Sequence, residues 1–326
     1  MKNIIIFGGA GFIGVNLTKY FLENNNKVLC FDNLSTSDIS NTELFNDNPN
    51  YKFVKVDIVD CFEDGTIFRE TDEFFGPGFP VKANVDEIYN LACPASPPKY
   101  QIDPIHTLDT CIAVRDICCM SHIYKAKMLH ASTSEVYGDP IEHPQTETYR
   151  GNVNTIGPRS CYDEGKRVAE TYCYEYRKLG LDVKLIRIFN TYGPYMNPED
   201  GRVVSNFIMQ ALRNDDITIY GDGLQTRSFQ YIDDLIKGIV KIMESDSFGP
   251  YNVGNPDEFT MIELAEKVLK YIPESTSKLV YRDLPKDDPT QRKPNITKIN
   301  TELNWSPQIM LDEGLQKTIE YFKTKL

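Results

Sequence analysis

The sequence predicts an α/β fold, a doubly wound parallel sheet followed by a smaller C-terminal domain. Three observations lead there. Short β-branched runs alternate with longer segments of helical periodicity through the first two thirds of the chain. The first run passes directly into a glycine-rich turn and then a helix. Beyond Asn190 the alternation gives way to Gly- and Pro-rich loops between helical stretches. With 326 residues, 41% of them hydrophobic, the chain has ample material for a core.

Taken in order, residues 2–7 form an apolar run, as a strand covered on both faces requires. Phe12, Ile13, Leu17 and Phe21 recur at helical spacing over residues 12–22. Strands are expected at 27–31, 53–56, 85–91, 129–132 and 183–189, with a helix over 162–179 between the last two. Residues 63–82 include Phe75-Gly-Pro-Gly-Phe79 and are expected to form an inserted loop. Later helices are expected at 203–212, 232–243 and 261–271. The domain division this implies is 1–189 and 190–326, with the chain rejoining the first unit at about 226–250. The smaller unit closes over the sheet's carboxyl edge, where open α/β sheets bind ligands.

Charge and cysteine usage narrow the function. A formal net charge of −12 disfavours binding to a nucleic-acid backbone, so any anionic ligand must be met by locally placed arginines. Eight cysteines show no CxxC pair and none follows Cys173, which fits neither a disulfide framework nor a metal site. No apolar run approaches the ~20 residues of a membrane span, and the N-terminus enters the first strand at once. A reduced, soluble, cytoplasmic protein without a metal is the expectation.

Gly8-Gly9-Ala10-Gly11-Phe12-Ile13-Gly14 joins the first strand to the first helix. Gly8, Gly11 and Gly14 permit a tight turn, a pyrophosphate close to the backbone, and close packing of helix on sheet. The helix N-terminus, from Phe12 and Ile13, adds amide donors and a favourable dipole. Asp32 ends the second strand, where an acid accepts hydrogen bonds from ribose hydroxyls and repels a 2′-phosphate. This strand–turn–helix context makes the sheet Rossmann-type and the cofactor NAD. Asn33, Asp57, Ile58, Leu91 and Ala92, at strand ends, are the expected flanks of that site.

Tyr162 and Lys166 stand at i and i+4, on one helix face, where an ammonium beside a phenol favours the phenolate. The strand before them runs into Ser132-Thr133-Ser134-Glu135-Val136-Tyr137-Gly138, placing hydroxyls and a carboxylate at the sheet's carboxyl edge. Together these residues form a hydride-transfer site.

Here the sequence resembles the extended short-chain dehydrogenase/reductases of nucleotide-sugar metabolism, and within them the UDP-glucuronic acid decarboxylase (UDP-xylose synthase) family. The likeness spans nearly the whole chain. It rests on Cys93-Pro-Ala-Ser-Pro-Pro98, the 131–140 and 156–170 segments, Gly201-Arg-Val-Val-Ser-Asn-Phe207, Gln225-Thr-Arg-Ser-Phe229 and Asp287-Asp-Pro-Thr-Gln-Arg-Lys-Pro294. Related 4,6-dehydratases carry an Asp where this chain has Ser134, so loss of a hydroxyl is disfavoured here. The resemblance implies that UDP-glucuronate is oxidised at C4 with NAD bound, loses CO2 as a β-keto acid, is protonated at C5 and reduced at C4, with no net redox.

In that scheme Tyr162, Lys166 and Thr133 handle the C4 proton, and Glu135 orients the substrate or a water. Arg292 positions the sugar. Pro94, Tyr100, Asn190, Arg202, Val203, Phe207, Tyr220 and Arg227 join Arg292 as the implied substrate contacts, and a homodimer is the implied assembly. A UDP-sugar 4-epimerase is the nearest alternative, opposed by Glu135. A non-catalytic NAD-binding scaffold is another, opposed by the intact Tyr/Lys pair. Phe7, Tyr195, Cys111 and Val114 depart from the family pattern.

Overall fold

The computed structural model describes residues 1–76, 83–284 and 291–326. In chain order the first half contains β1 (Asn3–Phe7), α1 (Phe12–Glu23), β2 (Lys27–Asp32), α2 (Ser40–Glu43), β3 (Tyr51–Lys55) and α3 (Thr66–Phe75). Next come β4 (Glu87–Asn90), α4 (Pro97–Tyr100), α5 (Pro104–Ile112), α6 (Val114–Tyr124), β5 (Lys127–Thr133), α7 (Ser160–Lys178) and β6 (Val183–Ile188). The later part adds β7 (Thr191–Tyr192), α8 (Val203–Arg213), β8 (Ile217–Tyr220), β9 (Thr226–Ser228), β10 (Gln230–Tyr231) and α9 (Ile232–Glu244). It ends with β11 (Tyr251–Val253), β12 (Glu258–Thr260), α10 (Met261–Tyr271), β13 (Leu279–Arg282), β14 (Gln291–Arg292), α11 (Thr297–Leu303) and α12 (Leu311–Lys323).

Seven parallel strands make the main sheet, ordered β11-β6-β5-β4-β1-β2-β3. The unbroken apolar character of β1 has a direct cause. Ile4 and Ile6 enter the core beneath α1 and α9, whereas Ile5 and Phe7 enter the core beneath α3, α6 and α7. Phe7 stacks on Phe31 at 5.3 Å between ring centroids, so the aromatic ring that replaces a hydroxyl residue there serves packing. Strand order reverses between β1 and β4, and ligands of doubly wound sheets bind at that crevice.

The chain after β6 does two things. Through α9 and β11 it returns to the main sheet, and through a three-stranded sheet ordered β12-β9-β14 it builds a wall over the carboxyl edge. Residues 63–82, expected to be a loop, are in part helical. Over Thr66–Phe75 the chain forms α3, which buries Ile67 and Thr71. Gly65 caps the start of that helix, the Gly-Pro cluster begins at Gly76, past its end, and residues 77–82 lie outside the described residues.

Candidate active site

The glycine turn shapes the first part of the site. Gly8 has φ +79°, which a side chain rarely adopts. A Cβ on Gly14 would overlap the Gly8 carbonyl oxygen and come within 2.8 Å of Gly9 Cα, so α1 seats on the turn only without one. Helix α1 starts after Gly11 with no side-chain cap among the described residues, leaving its first amides for an anion. Asp32 accepts from Leu34 N (2.8 Å) and Ala10 N (3.1 Å). Burial pushes its carboxyl up and these amides pull it back. These residues suit a dinucleotide: a cradle a Cβ would fill, uncapped amides for the pyrophosphate, and an acid at the ribose end.

Three adjoining cavities hold the expected residues. One groove is lined by Asp32, Asn33, Asp57, Ile58 and Ala92, and shares Gly8, Gly11 and Leu91 with a central cavity. That central cavity adds Phe12, Ile13 and Gly14 and contains Thr133, Ser134, Glu135, Tyr162 and Lys166. A third opens from it past Glu135, Asn190 and Arg202, lined by Tyr100, Val203, Phe207, Tyr220, Arg227 and Arg292. Pro94 departs from expectation. It faces the groove around Asp32 and Asp57 rather than the third cavity, because the loop after β4 turns inward again only at Ala95.

Helix α7 carries Tyr162 and Lys166 over the end of β5. The Thr133 hydroxyl stands by the Tyr162 phenol and favours its ionised form, and Lys166 Nζ donates to the Ala131 carbonyl (2.9 Å) and lies 5.9 Å from the Tyr162 ring centroid. Sequence spacing implied a phenol drawn toward neutrality. In the protein alone burial does the opposite and pushes Tyr162 well above its ordinary value, with the nearby Cys93 sulfur adding to the rise and Thr133 opposing it. Tyr100 stacks flat on Tyr162 at 4.9 Å.

Beyond Thr133 the chain makes one 3₁₀ turn over Ser134–Tyr137, started by the Glu135 amide donating to Thr133 Oγ1 (3.2 Å). Glu135 is thereby turned between two cations, accepting from both Arg159 and Arg292. Burial alone would raise its carboxyl, but Arg292 and Arg159 prevail and bring it down to about 2. Arg292 also donates to the Gly138 carbonyl (3.1 Å). Asp163 sits behind Arg159, with 3.9 Å between Oδ2 and Nε, and burial next to Glu135 pushes it up to about 7. Arg202, on the far side of the cavity, pairs with Asp200.

Residues 5–318 match the family described as GDP-mannose 4,6 dehydratase. Over 325 residues the chain is 45% identical to UDP-glucuronic acid decarboxylase 1 of Arabidopsis thaliana, spanning 99% of the chain and 70% of that relative. The chain belongs to the UDP-glucuronic acid decarboxylase family. Solved structures share its fold end to end. The UDP-glucose 4-epimerase of Thermotoga maritima aligns with TM-score 0.87 and 28% identity over 99% of each chain. The UDP-glucuronic acid 4-epimerase of Bacillus cereus, solved with UDP-glucuronic acid and NAD, aligns with TM-score 0.86 and 25% identity over all of both.

Against that family, two parts of the site escaped the sequence reading. Arg159 lay in a motif used for the resemblance, yet its position three residues before Tyr162, on the same helix face, was the available signal. Thr36 and Ser37, shortly after Asp32, line the cofactor groove, and Ser37 hydrogen-bonds Asp32. Of the family departures, Cys111 and Val114 are buried packing residues, and Tyr195 takes φ +69° with its ring 5.2 Å from that of Tyr321. No cluster of three metal-ligating side chains occurs among the described residues. Residues 285–290 of the Asp287–Pro294 motif lie outside them.

Proposed function

We propose that this chain is a carboxy-lyase that converts UDP-glucuronate to UDP-xylose with NAD bound. The observation that carries this reading is Glu135, held ionised by two arginines beside the Tyr162–Thr133 pair, with Ser134 where a dehydratase would carry its acid. Gly8, Gly11, Phe12, Ile13 and Gly14 hold the diphosphate of the cofactor, and Asp32, Asn33, Asp57, Ile58, Leu91, Ala92 and Pro94 enclose its adenosine half. Bound NAD supplies reversible oxidation at C4, so the turnover has no net redox.

Tyr162 takes the proton of the C4 hydroxyl, with Thr133 as its hydrogen-bond partner and Lys166 as the adjacent positive charge. With a ketone at C4, the C5 carboxylate belongs to a β-keto acid. The C5–C6 bond breaks, CO2 leaves, and the electron pair moves onto the C4 oxygen, where Tyr162 and Thr133 donate hydrogen bonds. Glu135, ionised, repels the substrate carboxylate and favours its departure. Arg292 orients the ring for protonation at C5. Arg202, Arg227 and Asn190 meet the UDP diphosphate, and Val203, Phe207 and Tyr220 meet the nucleoside, with Tyr100 over the sugar.

The 1–189 and 190–326 division, the chain rejoining the first unit at about 226–250, assigns cofactor to one unit and UDP-sugar to the other. A cytoplasmic homodimer completes the proposal. Exposed Ile105 on α5 and Val168 and Tyr174 on α7 support the dimer, and light scattering at twice 37.3 kDa checks it. Incubation with UDP-glucuronate labelled at C6 tests the activity. Labelled CO2 together with UDP-xylose by NMR is expected. Label retained in a 4-epimer, or no turnover despite bound NAD, rejects it.

A further inference from the structure

Two thiols that the chemistry above does not use lie against its base. Cys93, in the loop after β4, and Cys111, on α5, are both reduced, with 3.5 Å between their sulfurs. We propose that Cys93 and Cys111 form an oxidisable dithiol which a peroxide closes to a disulfide, and that closure switches off turnover.

The two cysteines have unequal access. Cys93 is half-buried and lines both the central cavity and the cofactor groove. Cys111 is 2% exposed and lines neither, so it reacts through Cys93. This is the arrangement of an attacking and a resolving thiol. The hydrogen bond from Cys111 lowers Cys93 despite its burial, and Lys166 adds to the effect. The same bond, with burial, pushes Cys111 well up. Of the two sulfurs, Cys93 is the one whose thiolate is favoured. The other buried cysteines lack one half of this pairing. Cys30 and Cys61 are pushed up to about 12 by burial, and Cys118 and Cys173 lie together in the core beneath α6 and α7.

The chemistry balances with hydrogen peroxide as the oxidant. The Cys93 thiolate attacks one oxygen, the O–O bond breaks, and sulfenic acid forms as hydroxide leaves and takes up a proton. The Cys111 sulfur then attacks the Cys93 sulfur, the S–O bond breaks, and a second water leaves. Two thiols lose two protons and two electrons, and one peroxide becomes two waters.

Closure has to move one or both sulfurs. A disulfide needs about 2.05 Å between sulfurs, so the pair must draw together by about 1.5 Å. On one side Cys111 abuts α7, where a Cβ on Gly165 would stand 3.0 Å from its sulfur, and Lys166 is the next residue. On the other, a Cβ on Gly8 would stand 2.8 Å from Ala92 N, next to Cys93. Both sulfurs thus sit one residue from the catalytic parts, Cys111 against Gly165 beside Lys166 and Cys93 beside the Ala92 that packs on Gly8, and closure acts by disturbing one of them.

The test uses the holoenzyme as purified, reduced and then exposed to stoichiometric hydrogen peroxide. After alkylation and digestion, mass spectrometry should find a peptide linking Cys93 to Cys111. CO2 release should fall by about tenfold or more, as small misplacement at a reacting centre predicts, and dithiothreitol should restore it. Cys111→Ser should form no link and keep its turnover under the same dose, whereas Cys161→Ser, at the half-buried cysteine beside Tyr162 on α7, should still form the link. The proposal is overturned if no Cys93–Cys111 peptide appears at a dose that oxidises the exposed Cys119, if Cys161 proves to be the partner, or if the link leaves turnover unchanged. The activity arm rests on the decarboxylase reading and the peptide arm does not, so the two failures are distinguishable.

Discussion

At the scale of single residues, the site is a contest between burial and paired charge. Glu135 and Asp163 are both buried carboxyls, yet they move in opposite directions because two guanidinium groups donate to Glu135, whereas burial and the Glu135 charge outweigh Arg159 and Arg292 at Asp163. The stability consequences have opposite signs. Glu135, with a depressed folded value, stabilises the fold above the usual carboxylate range and loses that contribution as pH falls toward about 2. Asp163 holds its proton in the folded state up to about 7 but releases it near 3.8 when unfolded, so its presence costs stability progressively across that window. Asp163→Asn should therefore melt like the parent near pH 4 and gain at least roughly 2 °C in Tm above pH 7. Thermal melts across that range check this, and a pH-independent difference would contradict it. The sequence announced Tyr162, Lys166 and the hydroxyl-rich strand end, because short spacings are local. It could not announce that Arg292 meets Glu135, since nothing in either neighbourhood encodes a contact 157 residues apart.

Among elements, α7 and the β1–α1 turn do most of the positioning. Arg159 closes the N-terminal edge of α7, and Tyr162, Asp163 and Lys166 follow at helical spacing, so one rigid face sets the base, its cation and the Glu135 clamp together. The β1–α1 turn is as constrained. Gly14→Ala would gain helix propensity of about 1 kcal/mol, but its Cβ must enter space held by the Gly8 carbonyl and Gly9 Cα, which are backbone and cannot swing aside. The clash should prevail. The variant should retain far less NAD on purification and melt at lower temperature, measured by releasing and assaying bound nucleotide; full occupancy would show that the turn can shift. Periodicity located these elements within a few residues. It missed α3, although Ile67, Phe68, Phe74 and Phe75 stand at helical spacing, because the conspicuous Gly-Pro stretch just beyond outweighed them.

For the molecule as a whole, the question is how a wall built by the last third of the chain holds Arg292 against Glu135 in a protein of net charge −12. Pairing of β14 with β9 sets Arg292 opposite Arg227, two like charges side by side that Glu135 and an anionic ligand can offset. The wall is tied to the main sheet through a buried amide pair. Asn252, on edge strand β11, accepts from Tyr137 Oη (2.7 Å) and donates to the carbonyls of Gln145 (3.0 Å) and Asn295 (3.2 Å). Gln145 in turn accepts from Lys293 N (2.9 Å), next to Arg292. Both side chains are fully buried, so a missing partner there is costly. Asn252→Ala leaves the Tyr137 hydroxyl without this acceptor and removes the donor to two carbonyls, which should cost about 1–3 kcal/mol of stability. Because Asn252 touches neither the glycine turn nor Tyr162, bound NAD should be retained while turnover falls as Arg292 loosens. Denaturant unfolding, nucleotide content and CO2 release measured on one preparation separate these effects. Loss of NAD in step with activity would mean that Asn252 supports the whole sheet rather than the hold on Arg292.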